Sequence, residues 1–482
     1  VNDDKTITRK GIEAAFTDYL TGKEGKRKVQ KMSRSLWKPI HDENEIDPQD
    51  GYDVTTTIDV YIQDIAHHAL LSSLQYYEAD HGTVVVMETK TGQVKAISNL
   101  GKIGDGSYRE TVNYAVLERH DPGSTFKLAS YLALLDDEKA DTSTIYDTKG
   151  GIVTFSGRQV RDSNRRGYGK ISLGRAFEVS SNTVVTQAVN QAYKDNPKEF
   201  TDKMKDFGFN GTLGLDLKGE PKSYIPVPGD RNWSKIALPW MAYGYGILVT
   251  PLQTLTLYNA IANNGEMVKP QFVKEIRDVN QVLKIFDKEV LNPQIVKPKV
   301  VREMQDIMKN VVLRGTGKSL LSHDFSMAGK TGTAQMNYGN RGGMYYASSF
   351  VGYFPADNPK YSCIVVIHRP TKHSYYGGDV AGPVFKRIAQ KIFTDVPSLK
   401  EVKNIETPSK NAVKQYKNYY ANVKQSGNNM PNVTGLPAMD AVALLENLGL
   451  KVHTVGFGKV RKQSINVGEK IAKQQVIILE LS

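Results

Sequence analysis

The chain has 482 residues, enough for roughly three domains at about 150 residues each and for a large core without disulfide staples. Lys and Arg total 63 against 51 Asp and Glu, a net charge of +12 with His neutral, which excludes an acidic tail protein, and 40% apolar content excludes a disordered chain. The single cysteine, Cys363, excludes an intramolecular disulfide or a multi-cysteine metal cluster.

Residues 1–50 are polar and charge-rich, with one amphipathic stretch from Gly11 to Leu20, and read as a small appendage. The first residue is Val, the mark of a processed or truncated chain whose anchor or signal would lie upstream. No run approaches the roughly 18 apolar residues of a bilayer span. Val54–Asp59 is β-branched and strand-like, and Tyr61–Tyr77 is a helical run. Gly82–Ser98 reads as two strands around a turn at Lys90-Thr91-Gly92. The middle of the chain is rich in helices and loops. Strands return at Ser326–Gln335, Tyr345–Phe354 and Tyr361–Arg369, with a turn at Pro355–Pro359 and a helix at Ala381–Ile392. Strands at both ends of a helical region predict one α/β domain over 51–395 whose sheet is closed by both termini. Residues 396–428 hold six Lys and two Glu after Val396 with few branched apolar residues, and read as a linker. The unit at 429–482 is predicted as a strand at Pro431–Val433, a turn at Gly435 and a helix at Met439–Leu448 capped by Gly449. Strands at Lys451–Val455 and Val476–Leu481 complete it.

Three short motifs carry chemistry. Asp121-Pro122-Gly123 suits a turn into a helix start, which puts Ser124 in the first turn beside free backbone N–H groups. Lys127 lies one helical turn on, within reach of the Ser124 hydroxyl. A serine needs such a base, and a lysine serves only when burial or a neighbouring cation keeps it partly neutral. The same Ser-x-x-Lys spacing recurs at Ser35/Lys38, where Pro39 argues against a helix. Ser180-Ser181-Asn182 falls between two helical segments and is equally readable as an N-cap cluster. Three other Ser-x-Asn triplets start at Ser409, Ser426 and Ser464. Lys330-Thr331-Gly332-Thr333 sits in strand-like sequence; its glycine permits close approach, and Lys with two Thr offers donors to a carboxylate. A second Lys-Thr-Gly lies at 90–92.

Order selects among these. Requiring Ser-x-x-Lys, then Ser-x-Asn, then Lys-Thr-Gly leaves Ser124/Lys127, Ser180/Asn182 and Lys330–Thr333, far enough apart to come from three elements meeting at one cleft. That ordered trio is shared by class A β-lactamases and penicillin-binding proteins. Further matches are Asp121-Pro122-Gly123, Val249-Thr250-Pro251-Leu252-Gln253, Ala260-Ile261-Ala262-Asn263-Asn264-Gly265 and Ala381-Gly382-Pro383-Val384-Phe385. Together they resemble the transpeptidase domain of class B penicillin-binding proteins over 51–395. Gly11-Ile12-Glu13, Leu20-Thr21-Gly22 and Gly25 are similar to the end of that family's membrane-proximal pedestal, and Met430–Leu436 with Val476–Ser482 to a PASTA module.

The resemblance implies a penicillin-binding fold, an antiparallel sheet with a helical region, and a serine D,D-transpeptidase. Ser124 would be the nucleophile, Lys127 the base for acylation, Ser180 a proton relay and Asn182 an orienting group. Lys330, Thr331, Gly332 and Thr333 would bind the substrate carboxylate, and the Ser124 and Thr333 amides would form the oxyanion hole. The implied partners are D-Ala-D-Ala stem peptides with an amine acceptor, β-lactams, a SEDS-type glycan polymerase and divisome proteins. A membrane helix ahead of the pedestal would hold the domain outside the cytoplasmic membrane, at the septum. Rival readings on the same fold are a non-catalytic β-lactam sensor or wall-binding receptor, and a D,D-carboxypeptidase. No cofactor is expected. The scattered basic charge, without zinc-finger spacing or an RNP-type aromatic signature, points to no nucleic acid. His67-His68 and His368/His373 lack ligand spacing, so no metal is expected, and Cys363 reads as a small buried hydrophobe.

Overall fold

Strands from both ends of the long middle region meet in one sheet. In a computed structural model, which describes residues 11–33, 37–39, 45–279, 281–336, 343–395 and 429–482, the chain divides into two compact units, Val1–Val396 and Pro397–Ser482. The central sheet of the first unit has six strands: β1 (His81–Glu88), β2 (Val94–Lys102), β3 (Tyr108–Glu110), β4 (Ala328–Met336), β5 (Tyr345–Phe354) and β6 (Tyr361–His368). Their spatial order is β4-β5-β6-β1-β2-β3, and every neighbouring pair is antiparallel. The late strands therefore join the early ones at the β6–β1 pair, and β4 is left as an edge.

Both faces of this sheet are covered, which is why its strands read as near-continuous apolar runs. Val84 and Val86 of β1 face one layer with Leu70, Leu74, Phe385 and Ile388, from the helices Val60–Tyr76 and Gly382–Asp395. Val85 and Met87 face the other layer, the helical region. At its centre lies the helix Lys127–Asp136, buried at every position from Lys127 to Leu135 and hence apolar on all sides except at Lys127 and Ser130. Around it pack Leu173–Glu178, Asn182–Tyr193, Pro251–Ala262 and Pro298–Arg314.

The predicted Val54–Asp59 strand is observed as Asp53–Thr56, but it pairs with Val273–Asp278 in a separate three-stranded sheet. Thr57 ties that sheet to the central one, its hydroxyl donating to the carbonyls of Val94 and Gln271. The amphipathic stretch at 11–20 is two short helices, Gly11–Ala15 and Thr17–Leu20, with Phe16 buried against Val273 and Ile276. Trp37–Pro39 is a short strand, in keeping with the argument from Pro39, while Ser35 lies outside the described residues. So do the predicted linker at 396–428 and the triplets at Ser409 and Ser426. No helix of the described residues is long and apolar enough to cross a membrane.

In the second unit the helix Ala438–Asn447 packs on a three-stranded sheet. Lys451–Val455 runs parallel to the central Val476–Leu481, and Val460–Gln463 runs antiparallel to it. Gly449 follows the helix with φ +86°, the left-handed conformation expected of its cap. Two expectations change. Pro431–Val433 is not a strand; it is held instead by side chains, with the Gln463 amide accepting from Val433 N and donating to Pro431 O. Val460–Gln463 was not anticipated, because Val-Arg-Lys-Gln lacks the apolar alternation of a half-buried strand.

Candidate active site

Ser124 lies in a 3-10 turn, Gly123–Phe126, that leads directly into the helix starting at Lys127. The turn is pinned from several sides. Gly123 N donates to Gly244 O at 3.0 Å, Thr125 Oγ1 to Pro122 O at 2.8 Å, and the Tyr258 hydroxyl to Thr125 O at 2.8 Å. Asp121 Oδ1 accepts from Gly246 N and Ile247 N, and burial raises its pKa to about 6. Ser124 is half-buried while Gly123, Thr125, Phe126 and Lys127 are buried, so the turn offers one hydroxyl to the cleft.

Lys127 is fully buried, and burial lowers its pKa to about 7 against an opposing pull from the Asp162 carboxylate. Its Nζ donates to Ser180 O at 2.7 Å, Asn182 Oδ1 at 2.7 Å and Ser180 Oγ at 3.2 Å. These contacts exist because Ser180 adopts φ +59° between the helices Leu173–Glu178 and Asn182–Tyr193. The direct contact between Lys127 Nζ and Ser124 Oγ is not among the hydrogen bonds formed; such contacts often tighten only when substrate is bound.

The third motif arrives on β4. Lys330 Nζ donates to the same Ser180 Oγ at 2.8 Å and to Thr331 O at 2.9 Å. It too is fully buried, and desolvation together with the neighbouring Lys127 amine holds its pKa well below the usual lysine range. Two amines thus converge on one hydroxyl. Thr331 Oγ1 is 2.7 Å from Thr316 Oγ1, and Thr333 Oγ1 accepts from Gly377 N at 2.9 Å. Gly332 is a packing requirement: a Cβ there would lie 2.2 Å from Ser349 Oγ and 2.9 Å from Thr125 Cγ2. A Cβ on Gly123 would lie 3.0 Å from Ala334 Cβ, so β4 runs against the serine turn at near-contact distance.

All seven side chains singled out from the sequence therefore fall on three neighbouring elements around one cleft. Of the look-alikes among the described residues, Lys90-Thr91-Gly92 closes the β1–β2 turn and Ser464 belongs to the second unit. Residues that escaped the sequence reading support this cluster from behind. Asp162, buried, accepts from Asn182 N at 2.6 Å, Thr183 N at 2.9 Å and the hydroxyls of Ser181 and Thr183. Ser181 is the N-cap of the helix that carries Asn182, its hydroxyl accepting from Val184 N, and Asp162 takes the two N–H groups before that. Glu178, two residues before Ser180 and also buried, accepts from Nε and Nη2 of Arg314 and pairs with Arg175. Neither carboxylate sits in a local pattern that announces it.

Known proteins resemble this chain along most of its length. Residues 82–390 match the penicillin binding protein transpeptidase domain, and residues 428–482 match the PASTA domain. The chain is 28% identical over 488 residues to stage V sporulation protein D of Bacillus subtilis, covering 98% of this chain and 72% of that protein. It is 27% identical to peptidoglycan D,D-transpeptidase FtsI of Buchnera aphidicola over 80% of this chain and 65% of that protein. Among solved structures, the TP domain of Burkholderia pseudomallei penicillin-binding protein 3 superposes with a TM-score of 0.60 at 26% identity, covering 71% of this chain and 97% of that domain. The transpeptidase-domain match spans most of the first unit and takes in the serine turn, the two buried amines and the threonine-bearing edge strand, and the chain belongs to the penicillin-binding protein transpeptidase family, with a C-terminal PASTA domain.

Proposed function

We propose that this chain is a peptidoglycan D,D-transpeptidase working through an acyl-enzyme on Ser124, and that β-lactams acylate the same residue. The observation that carries the reading is the hydrogen-bonded knot of Lys127, Ser180, Asn182 and Lys330 beside the Ser124 turn. In the proposed reaction Lys127, kept partly neutral by burial, takes the Ser124 proton as Oγ attacks the carbonyl between two terminal D-alanines. Ser180, bonded to both amines, passes a proton to the leaving amine, and D-alanine departs. The amine of a second stem then attacks the ester, forms the cross-link and frees Ser124. Thr331, Thr333 and Lys330 receive the terminal carboxylate, and the Ser124 and Thr333 amides stabilise the oxyanion. Strand β4 is the sheet edge against which an extended stem peptide would lie.

The proposed division of labour is a pedestal remnant at 1–50, catalysis at 51–395, a linker at 396–428 and the PASTA domain at 429–482. The family resemblance supports a catalytic domain outside the cytoplasmic membrane, which a helix ahead of the pedestal would hold. There it would work at the septum with a SEDS-type polymerase and divisome proteins. Incubation with donor and acceptor stem peptides, followed by mass spectrometry, tests the activity. Cross-linked dimers are expected. Release of D-alanine without dimers would favour a carboxypeptidase, and acylation by a β-lactam with no product from stem peptides would favour a sensor.

A further inference from the structure

Away from the cleft, one end of the central sheet gathers imidazoles and carboxylates. His81 begins β1 and His368 ends β6, directly opposite each other in register. Their rings lie face to face, 4.4 Å apart and 11° from parallel. Glu118 approaches from the segment leading to the nucleophile turn, six residues before Ser124. Its Oε2 is 2.9 Å from His81 Nε2 and 3.7 Å from His368 Nε2. One donor atom from each of the three residues lies within 4.8 Å of the other two. His120 is buried edge-on to His368 at 5.0 Å, and its Nδ1 has no hydrogen-bond partner among the described residues.

The decisive feature is that both nitrogens of His81 face carboxylate oxygens: Nδ1 is 3.3 Å from Asp80 Oδ2 while Nε2 meets Glu118. A neutral imidazole carries one N–H, so it satisfies one carboxylate and turns a lone pair on the other. A positive species, a second proton or a metal ion, satisfies both contacts at once. Asp80 on Nδ1 is the arrangement in which a carboxylate orients a metal-binding histidine, leaving Nε2 to the metal. Two imidazoles and one carboxylate with an open position form a donor set suited to a divalent transition ion.

We propose that His81, Glu118 and His368 form a divalent transition-metal site, zinc being the reference ion, with Asp80 orienting His81. Ligands of zinc stand about 2.0–2.2 Å from the ion, so binding draws the three donors closer and tilts the stacked rings towards each other. The ion would clip the ends of β1 and β6 to the segment that delivers Ser124. It is a structural clasp outside the catalytic knot.

The test uses the full chain without a histidine tag, stripped with chelator and dialysed against zinc chloride. Elemental analysis should find one equivalent of zinc, Tm should rise with zinc concentration, and cobalt(II) in its place should show visible ligand-field bands. Glu118→Gln and His368→Asn should each abolish those bands. Asp80→Asn should weaken zinc binding about 10- to 100-fold. Labelling of Ser124 by a fluorescent penicillin, which needs a folded domain, verifies that each variant is folded. Zinc uptake well below one equivalent would overturn the proposal and leave a proton as the positive species. So would uptake unchanged in a folded Glu118→Gln/His368→Asn double variant.

Discussion

Lys127 is the residue on which the proposed chemistry turns. Its amine is a base only when neutral, and burial brings its pKa to about 7. Acylation of Ser124 by a β-lactam should therefore rise with pH through about 7 and level off above it, as measured by stopped-flow with a fluorescent penicillin. Stability follows the same group: between about 7 and the unfolded lysine value of roughly 10.4, the unfolded chain binds the extra proton, so this group's contribution to stability improves as pH rises. Below about 7 the cost of burying the charged amine is felt in full. Lys127→Arg, permanently charged, should lower acylation by about 10²- to 10⁴-fold, the range of general-base assistance. Mass mapping after labelling should find the adduct on the Ser124 peptide, and Ser124→Ala should abolish it. An adduct elsewhere would displace Ser124 from its proposed role.

Among elements, the relation between β4 and the serine turn is set by an absent side chain. Gly332→Ala places a methyl carbon 2.2 Å from Ser349 Oγ and 2.9 Å from Thr125 Cγ2, so either β5 or the turn must move. The expected cost is about 1–3 kcal/mol of stability, the usual penalty for overpacking, together with a loss of acylation rate. Urea unfolding and penicillin labelling read the two effects separately. Asp162→Ala acts from the opposite side of the cleft. It leaves the first two N–H groups of the helix that begins at Asn182 without their buried acceptor, at a cost of about 1–3 kcal/mol each. Because Asn182 Oδ1 orients the Lys127 amine, the variant should also lose acylation rate at a temperature where it remains folded.

For the whole molecule, two outcomes follow from how the chain is divided. A protein ending near residue 395 should keep its acylation rate within a few-fold, since Ser124, Lys127, Ser180, Asn182 and Lys330–Thr333 all belong to the first unit. Loss of acylation in a folded truncated protein would mean that the tail helps to build the cleft. The β-lactam acyl-enzyme should be long-lived, with release over minutes to hours after drug removal. Class A β-lactamases hydrolyse it with a glutamate that activates water. Among the described residues no carboxylate hydrogen-bonds to Lys127, Ser180 or Lys330. Asp162 and Glu178, the buried carboxylates nearest in sequence to Ser180, are committed to the start of the helix at Asn182 and to the arginine pair. Turnover of a chromogenic cephalosporin at several per second would contradict this.

Much of this architecture was legible beforehand because its signals are local. β-Branched and apolar stretches marked β1, β2, β5 and β6, and a largely apolar run after Lys127, interrupted by Ser130, marked a helix. The order of three short motifs singled out the site among repeated look-alikes. What the sequence could not supply is distance. That Lys127 and Lys330, 203 positions apart by number, would share the Ser180 hydroxyl depends on β4 lying at a sheet edge and on Ser180 taking a left-handed backbone. The roles of Asp162 and Glu178, and the meeting of His81, Glu118 and His368, likewise arise from segments joined only by folding. Pattern along the chain determined which residues carry reactive groups; tertiary packing alone decided their burial, and burial sets the protonation on which the proposed chemistry depends.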